Sequence, residues 1–248
     1  MIDRAFGIAR SLALYYGVPF RARRLAQLYA PFVPPGSLCF DLGAHAGNRV
    51  RCFRRLGARV VAVEPQPDFV RLLGALYGRD ARVVIVPAAV GRRPGEARLL
   101  ESRRTPTVST LSQEWVRTVG SDPSFAGVAW SPGVRVPVTT LDALIDAHGE
   151  PAFVKIDVEG YEAEVLGGLT RALPAVSFEY LAVARDIAIA CIDRLAALGD
   201  YEYNWSRGET HRIASLAWLE PERMRDVLRG LPADAGSGDV YARRRGGA

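Results

Sequence analysis

Four carboxylate residues stand at or near the ends of short apolar segments that are typical of β-strands: Asp41, Glu64, Asp157 and Glu179. Apolar strands that alternate with helical segments indicate a parallel sheet with both faces covered. In such a sheet, ligands bind outside the carboxyl ends of the strands, where the strand order reverses. These side chains therefore predict a polar rim above an apolar sheet, with a ligand site along that rim.

The first of these carboxylates opens the segment DLGAHAGN, residues 41–48, in which Gly43 and Gly47 allow a tight turn at the start of a helix. The spacing G-x-x-x-G differs from the dinucleotide pattern G-x-G-x-x-G. A carboxylate at Asp41 repels a pyrophosphate but attracts an ammonium group. Glu64 ends the second strand, where it can accept two hydrogen bonds from a ribose diol. A ligand with an amine at one end and a ribose further along is S-adenosylmethionine.

Lys155, in the segment PAFVKIDVEG, is the only lysine of the chain, and the rest of its 32 Lys+Arg residues are arginines. Because successive strand residues point to opposite faces, Lys155 and Asp157 face the same side, with Asp157, Glu159 or Glu179 within reach of the ammonium group. One interpretation is a buried counter-ion for these carboxylates. The alternative is that Lys155 binds or helps to deprotonate a methyl acceptor, since a desolvated ammonium group can lose its proton whereas a guanidinium stays charged.

The chain resembles the FkbM family of S-adenosylmethionine-dependent methyltransferases over about residues 37–180. The resemblance rests on six segments in the family's order and spacing: DLGAHAGN, AVEPQP, VPAAVG, STL, VPVTTLDALI and FVKIDVEGYEAEVLGG. It implies a class I methyltransferase fold, a Rossmann-like α/β structure whose seven-stranded, mostly parallel sheet has helices on both faces. The last strand of that sheet is antiparallel, and DVYARRR, residues 239–245, is the candidate for it. The resemblance also implies methylation of a hydroxyl oxygen on a sugar, a polyketide or a related secondary metabolite.

The resemblance also implies roles for individual residues. Asp41, Gly43 and Gly47 would contact the methionine part of the cofactor, and Glu64 would bind the ribose. Ala88 or Ala89 would form the floor under the adenine. The expected cofactor-binding residues are Asp41, Gly43, Ala44, His45, Gly47, Asn48, Glu64, Pro65, Gln66, Ala89 and Asp157.

Methyl transfer to an alcohol requires an aligned nucleophile and a group that takes its proton. Asp157 is the first candidate for that base, because it lies at the predicted switch point of the sheet. Further catalytic candidates are Lys155, Glu179, His45 and Glu159. Asp157 and Glu179 also resemble the acids that bind Mg²⁺ in catechol-type O-methyltransferases, so a metal-assisted route stays open but is not favoured.

The composition indicates an ordinary globular protein, and the family resemblance implies a small-molecule hydroxyl acceptor. The pI of about 9.4 and the net charge of +5 suit a polyanionic partner, but the arginines are scattered and no basic stripe alternates with aromatic residues. Nucleic acid is therefore not favoured, although a methyltransferase acting on RNA or protein remains an alternative, as does a cofactor-binding protein without catalysis or a dehydrogenase. Cysteines without C-x-x-C spacing predict reduced core thiols and a cytoplasmic protein.

Residues 1–36 are predicted to form a helical extension, and residues 37–248 the methyltransferase domain. The extension is interpreted as a helical cap that ends at Pro34 and Pro35, with a surface-binding helix as the alternative. Its apolar run at residues 11–20 is too short to span a bilayer. Residues 102–135, rich in proline and glycine, are too long for a structureless connection and predict a substrate lid.

Overall fold

The computed structural model describes residues 21–102 and 104–246, and every structural statement below concerns these residues. Helices and strands alternate along most of the chain. The helices are α1 Arg21–Tyr29, α2 Asn48–Arg55, α3 Pro67–Tyr77, α4 Gln113–Val119, α5 Leu141–His148, α6 Glu162–Gly167, α7 Arg185–Leu198 and α8 Pro221–Arg229. The strands are β1 Leu38–Leu42, β2 Arg59–Val63, β3 Val83–Val86, β4 Ala89–Val90, β5 Gly95–Glu101, β6 Ser131–Thr139, β7 Phe153–Ile156, β8 Ala175–Leu181, β9 Tyr201–Arg207 and β10 Ser237–Arg244.

Seven strands form the main sheet, in the order β3-β2-β1-β7-β8-β10-β9. The pairs among the first five strands are parallel. Strand β10 runs antiparallel to both β8 and β9. This is the class I methyltransferase fold, and the prediction that DVYARRR contributes an antiparallel strand is confirmed. The strand order reverses between β1 and β7, so the carboxyl ends of these two strands mark the switch point of the sheet.

The sheet is buried on both faces because its central strands are mostly apolar. Every residue of β1 and of β7 is buried. Neighbouring residues of β1 belong to different core clusters, with Cys39 packing beside α1 and α2, and Phe40 packing among residues of α5, α6 and α7. The same alternation puts Lys155 on the face of Phe153, the residue two positions earlier. A lysine thus lies inside an otherwise apolar strand.

The described part of the predicted N-terminal extension packs into the core of the main domain. Helix α1 ends at Tyr29, earlier than the predicted end at Pro34, because the residue before Pro31 disfavours the helical conformation. The rings of Tyr29 and Phe32 both lie 5.3 Å from the ring of Phe153 on β7. Residues 1–20 of the extension lie outside the described residues, and the proposed domain boundary stays a prediction.

Strands β4, β6 and β5 form a separate three-stranded sheet that was not predicted. Strand β5 alternates exposed and buried positions towards its end, a pattern that a sheet covered on both faces does not accommodate. The segment predicted as a lid, residues 102–135, contains helix α4 and an aromatic cluster. In that cluster the ring of Trp115 lies 5.5 Å from that of Phe125 and 6.0 Å from that of Trp130. Residues 113–130 thus form a folded unit, and the function of the segment as a lid stays a prediction.

The three cysteines are buried and form no disulfide, in agreement with the predicted core thiols: Cys39, Cys52 and Cys191. Among the helices of residues 21–246, apart from position 103, none combines the length and hydropathy that a bilayer crossing requires. The cytoplasmic location stays a prediction.

Candidate active site

A cleft opens at the carboxyl ends of β1, β2, β7 and β8. Each of these strands contributes a carboxylate at or after its end, namely Asp41, Glu64, Asp157 and Glu179 respectively. Thr110, from the segment between β5 and α4, closes part of the opposite wall. The polar rim that the sequence predicted is thus one continuous surface of the folded protein.

Gly43 brings the ends of β1 and β7 into close contact. Its φ of +82° is left-handed, and a Cβ atom at this position would lie only 1.9 Å from the carbonyl oxygen of Asp157. Gly47 also has a left-handed φ, and its carbonyl accepts a hydrogen bond of 2.9 Å from the hydroxyl of Tyr77. The two glycines therefore allow a backbone turn that a side chain would block, as predicted from their spacing.

Asp41 and Glu64 are almost completely buried, each with 2% exposure. Both carboxylate oxygens of Glu64 accept backbone N–H groups at 2.8 Å, one from His45 and one from Gln66. The Oδ2 atom of Asp41 has no hydrogen-bond partner in the described structure. Burial raises the pKa of both side chains to about 7. Both carboxyl groups therefore titrate near neutral pH, and a cationic ligand that binds beside either group favours loss of its proton.

His45 lies beside the cleft in a strained conformation. Its φ is +46°, which is uncommon for a residue other than glycine. The imidazole ring packs on Phe69 of α3 with its centroid 3.7 Å from that of the phenyl ring, and both ring nitrogens are buried. Burial lowers the pKa of His45 to about 3, so the ring is neutral at physiological pH.

Asp157, Glu159 and Glu179 form a carboxylate cluster in which one oxygen of each lies within 4.8 Å of the others. Glu159 also has a left-handed φ, of +55°, and its carbonyl accepts a hydrogen bond of 2.6 Å from the hydroxyl of Thr110. Burial and then the neighbouring carboxylates raise the pKa of both Glu159 and Glu179. The cluster therefore has the chemistry to accept a proton or to bind a cation.

Lys155 is completely buried beneath this cluster, and its principal partner is one that the sequence did not predict. Its Nζ atom lies 2.7 Å from Oδ1 of Asp239 on β10 and 3.4 Å from Oδ2 of Asp157. Of the three carboxylates predicted to be within reach, only Asp157 lies within ion-pair distance in the described structure. Burial alone would lower the pKa of Lys155, but the attraction of Asp157 and Asp239 raises it. This geometry favours the counter-ion interpretation, because a base requires a lowered pKa.

Strand pairing explains why Asp239, rather than Glu159 or Glu179, lies within ion-pair distance of Lys155. Asp239 pairs directly with Glu179 across the antiparallel strands β10 and β8. The other oxygen of Asp239 accepts a hydrogen bond of 3.1 Å from the hydroxyl of Tyr241. Burial would raise the pKa of Asp239, but Lys155 lowers it. Asp239 lies 84 residues after Lys155 in the sequence, so a local sequence pattern does not predict their contact.

Two further charged residues of the cleft escaped the sequence analysis, Arg49 and Glu209. Arg49, in the first turn of α2, is only 7% exposed, and its Nη2 atom lies 3.9 Å from Oδ2 of Asp157. Its Nε atom has no hydrogen-bond partner in the described structure. Among so many arginines, the signal that could have singled it out is its position two residues after Gly47. Glu209 comes from the loop after β9, which carried no recognisable motif.

Most of the predicted cofactor-binding residues line the cleft, and two lie behind it. The lining residues are Asp41, Gly43, His45, Asn48, Glu64, Pro65, Gln66, Ala89 and Asp157. Ala44 is buried in the core beside α2, and Gly47 packs against Tyr77 and Leu73. Of the catalytic candidates, Asp157, Glu159, Glu179 and His45 line the cleft, and Lys155 lies beneath it. The roles of these residues stay predictions.

The family model described as "Methyltransferase FkbM domain" matches residues 41–195. The chain belongs to this family. This is the family of S-adenosylmethionine-dependent methyltransferases that the motifs predicted. The chain is 29% identical over 144 residues to hexuronic acid methyltransferase AglP of Haloferax volcanii, a match that covers 56% of this chain and 52% of that protein. The chain thus aligns with about half the length of that curated relative.

Solved structures also resemble this chain, at low sequence identity. The TehB-like S-adenosylmethionine-dependent methyltransferase of Corynebacterium glutamicum has a TM-score of 0.48 at 12% identity, covering 95% of this chain and 94% of that chain. Precorrin-6y C5,15-methyltransferase of Geobacter metallireducens has a TM-score of 0.45 at 11% identity, covering 90% and 87%.

The cleft of this FkbM methyltransferase carries groups that suit the charge and the hydroxyl groups of S-adenosylmethionine. The buried, unpartnered Oδ2 atom of Asp41 is an acceptor suited to the ammonium group of a ligand. The Cβ position of Gly43 is filled by the carbonyl oxygen of Asp157, so the glycine allows the ends of β1 and β7 to meet at the cleft. The two backbone hydrogen bonds to Glu64 orient a carboxylate that has lone pairs left for hydroxyl groups.

Proposed function

We propose that this enzyme methylates a hydroxyl oxygen of a sugar, and that a hexuronic acid is the first acceptor to test. The observation that supports this most strongly is the carboxylate cluster of Asp157, Glu159 and Glu179 at the switch point of the sheet. An alcohol keeps its proton at neutral pH, so its methylation needs a nearby proton acceptor. The Haloferax volcanii relative is named as a hexuronic acid methyltransferase, which supports a sugar acid as the acceptor class.

In this proposal the two buried carboxylates hold the methyl donor. Asp41 binds the ammonium group and Glu64 the ribose hydroxyls, with Pro65, Gln66 and Ala89 around the adenine. S-adenosylmethionine supplies a methyl group on a positively charged sulfur, which is already a good leaving group. The protein therefore has two tasks, to align the acceptor oxygen and to remove its proton. Alignment can contribute up to ~7–11 kcal/mol.

Asp157 is the proposed general base. Its side chain is 26% exposed, so an acceptor in the cleft can reach it, whereas Lys155 below it is sealed from solvent. As the new oxygen–carbon bond forms and the carbon–sulfur bond breaks, the hydroxyl proton passes to the Asp157 carboxylate. Lys155 and Arg49, at 3.4 and 3.9 Å, orient that carboxylate from behind. Glu179 and Glu159 are the next candidates for the base.

A metal-assisted version of the same reaction is supported by the same cluster. Three carboxylates whose oxygens lie within 4.8 Å of one another are a donor set that suits a hard cation such as Mg²⁺. Activity lost on EDTA treatment and restored by Mg²⁺ would establish this route. Activity unchanged by EDTA would leave proton transfer to a carboxylate.

The test of the proposed function is a methyl-transfer assay with isotopically labelled S-adenosylmethionine. Glucuronic acid, galacturonic acid and the matched neutral hexoses serve as acceptors, and the products are identified by mass spectrometry and NMR. We expect the label in an O-methyl ether of a sugar, with a preference for the acids. Label recovered in RNA, in protein or on nitrogen, with none on any sugar, would refute the proposal.

A further inference from the structure

A second concave surface lies between α1 and residues 211–218, outside the cleft lining. This groove has a volume of about 620 Å³. Its apolar lining comes from Leu28 and Phe32 on one side, and from Ile213 and Trp218 on the other. The two sides come from opposite ends of the chain, so no sequence motif marks the groove.

The polar lining of the groove is basic. Arg24, Arg212 and Arg243 line it, and no aspartate or glutamate does so in the described part of the chain. Arg243 is already paired, with its guanidinium carbon 4.1 Å above the ring of Trp218 and its Nε atom 2.5 Å from Glu202. Arg24 and Arg212 are exposed and form no ion pair with any described residue. Two guanidinium groups are thus available to an anionic partner.

Leu216 stands at the edge of this groove with a relative exposure of 108%. The other exposed large hydrophobic residues of the described chain, Leu76 and Val84, reach only 49% and 42%. A fully exposed leucine beside unpaired arginines is the combination that binds a membrane interface, since the apolar side chain enters the acyl region while the cations meet the headgroups.

We propose that this groove docks the protein on an anionic membrane surface, with Arg24 and Arg212 on lipid phosphates and Leu216 inserted among the acyl chains. Single-stranded nucleic acid fits less well, because its bases need an open aromatic face and Arg243 covers that of Trp218. Residues 1–20 lie outside the described structure, and their sequence holds two arginines against one aspartate.

The loop after β9 connects the groove with the catalytic cleft. Glu209 lines the cleft, and Arg212 and Leu216, a few residues later, line the groove. Between them His211 has a left-handed φ of +51°, which turns the chain from one surface to the other. Membrane docking through this loop would therefore act close to the acceptor end of the cleft.

The test is co-sedimentation of the full chain with vesicles of phosphatidylcholine, with and without phosphatidylglycerol, at low salt. We expect binding only to the anionic vesicles. The double variant Arg24→Gln/Arg212→Gln should weaken it by about 25-fold, at ~5-fold per arginine. Leu216→Ser should weaken it separately. The matched control, Arg71→Gln/Arg98→Gln, removes the same charge from exposed positions outside the groove and should change binding less than ~2-fold.

Equal loss of binding in the groove and control variants would overturn the proposal, because the attraction would then be a property of the net charge. Absence of vesicle binding by the wild-type chain would overturn it as well. Competition by millimolar inorganic phosphate would assign the groove to a free anion. Groove-dependent binding of a single-stranded RNA oligonucleotide, stronger than that of the vesicles, would assign it to nucleic acid. Methyl transfer to a soluble sugar should be unchanged in all these variants, so this test is independent of the proposed function.

Discussion

The cleft and the groove of this protein carry opposite charges in different physical settings. The cleft is lined by six carboxylates and one arginine: Asp41, Glu64, Asp157, Glu159, Glu179, Glu209 and Arg49. The groove is lined by arginines with no carboxylate in the described structure. Most of the cleft carboxylates are enclosed by protein, so burial shifts their pKa values, whereas Arg24 and Arg212 face solvent. The cleft should therefore respond to pH, and the groove to ionic strength.

The largest expected effect comes from removing the buried cation beneath the cleft. Lys155→Met removes the closest cation from Asp239 and leaves Asp157 with only the more distant Arg49, and loss of one partner of a buried ion pair can cost ~3–5 kcal/mol. Lys155→Arg keeps the charge but places a longer, planar group in a completely buried position, so it should also be destabilising and largely inactive. Thermal melts and turnover of both variants test this, with Arg71→Gln as an exposed control. A wild-type-like Lys155→Arg protein would contradict the buried-pair account.

The next effect concerns Asp157, the carboxylate of the cluster that lies near both Lys155 and Arg49. Asp157→Asn should preserve the fold but lower turnover by at least ~10²-fold, because the acceptor proton loses its destination. Glu179→Gln, measured in parallel, separates the two candidate bases. Unchanged turnover of Asp157→Asn with the true acceptor would remove Asp157 from the role of base.

A smaller effect is expected at the cofactor end of the cleft. Glu64→Ala should weaken S-adenosylmethionine binding by about 2 kcal/mol, roughly thirtyfold, through loss of the ribose hydrogen bonds. Glu64→Gln is the matched control, since it keeps an oxygen that can accept the N–H group of His45 or of Gln66. Calorimetry measures both affinities, and melting curves show whether the turn survives. Equal affinity of the alanine variant and the wild type would exclude Glu64 from the cofactor site.

The smallest effect distinguishes the cleft from the groove most directly. The pKa of Asp41 is raised to about 7 by burial, so its carboxyl group is protonated below that pH and ionised above it. An ammonium group binds the ionised form, so affinity for S-adenosylmethionine should rise about fivefold between pH ~6 and pH ~7, with proton release on binding. Calorimetry in buffers of different ionisation enthalpy measures that proton. An affinity that depends on salt but not on pH would contradict the assignment of Asp41 to the ammonium group of S-adenosylmethionine.

The same pKa shifts predict how the cofactor-free protein responds to pH. The folded-state pKa values of Asp41 and Glu64 lie above their ordinary values, so the folded state binds more protons than the unfolded state at mildly acidic pH. This contribution to stability is complete at low pH and is lost as the pH rises through about 7. Chemical denaturation at a series of pH values, compared with Asp41→Asn, isolates the part due to Asp41.

Sequence patterns alone were sufficient to predict the main sheet, the family and most of the residues at the rim of the cleft. A strand has a period of two and must bury both faces in a parallel sheet, so apolar runs identify the strands, and carboxylates at their ends identify one edge. Gly43 could be recognised because its turn excludes a Cβ atom, a local constraint that leaves a mark on the sequence. Lys155 and Asp157 could be assigned to one face because side chains alternate between the two faces along a strand.

Contacts between distant parts of the chain were decided only by the tertiary structure. Asp239 meets Lys155 because β10 inserts beside β8, and the groove exists because α1 packs beside residues 211–218. The shifted pKa values of Asp41, Glu64 and Glu179 likewise depend on burial, which a linear pattern does not measure. Local sterics and periodicity are encoded within a few residues, whereas charge pairing and desolvation depend on which surfaces the whole fold brings together.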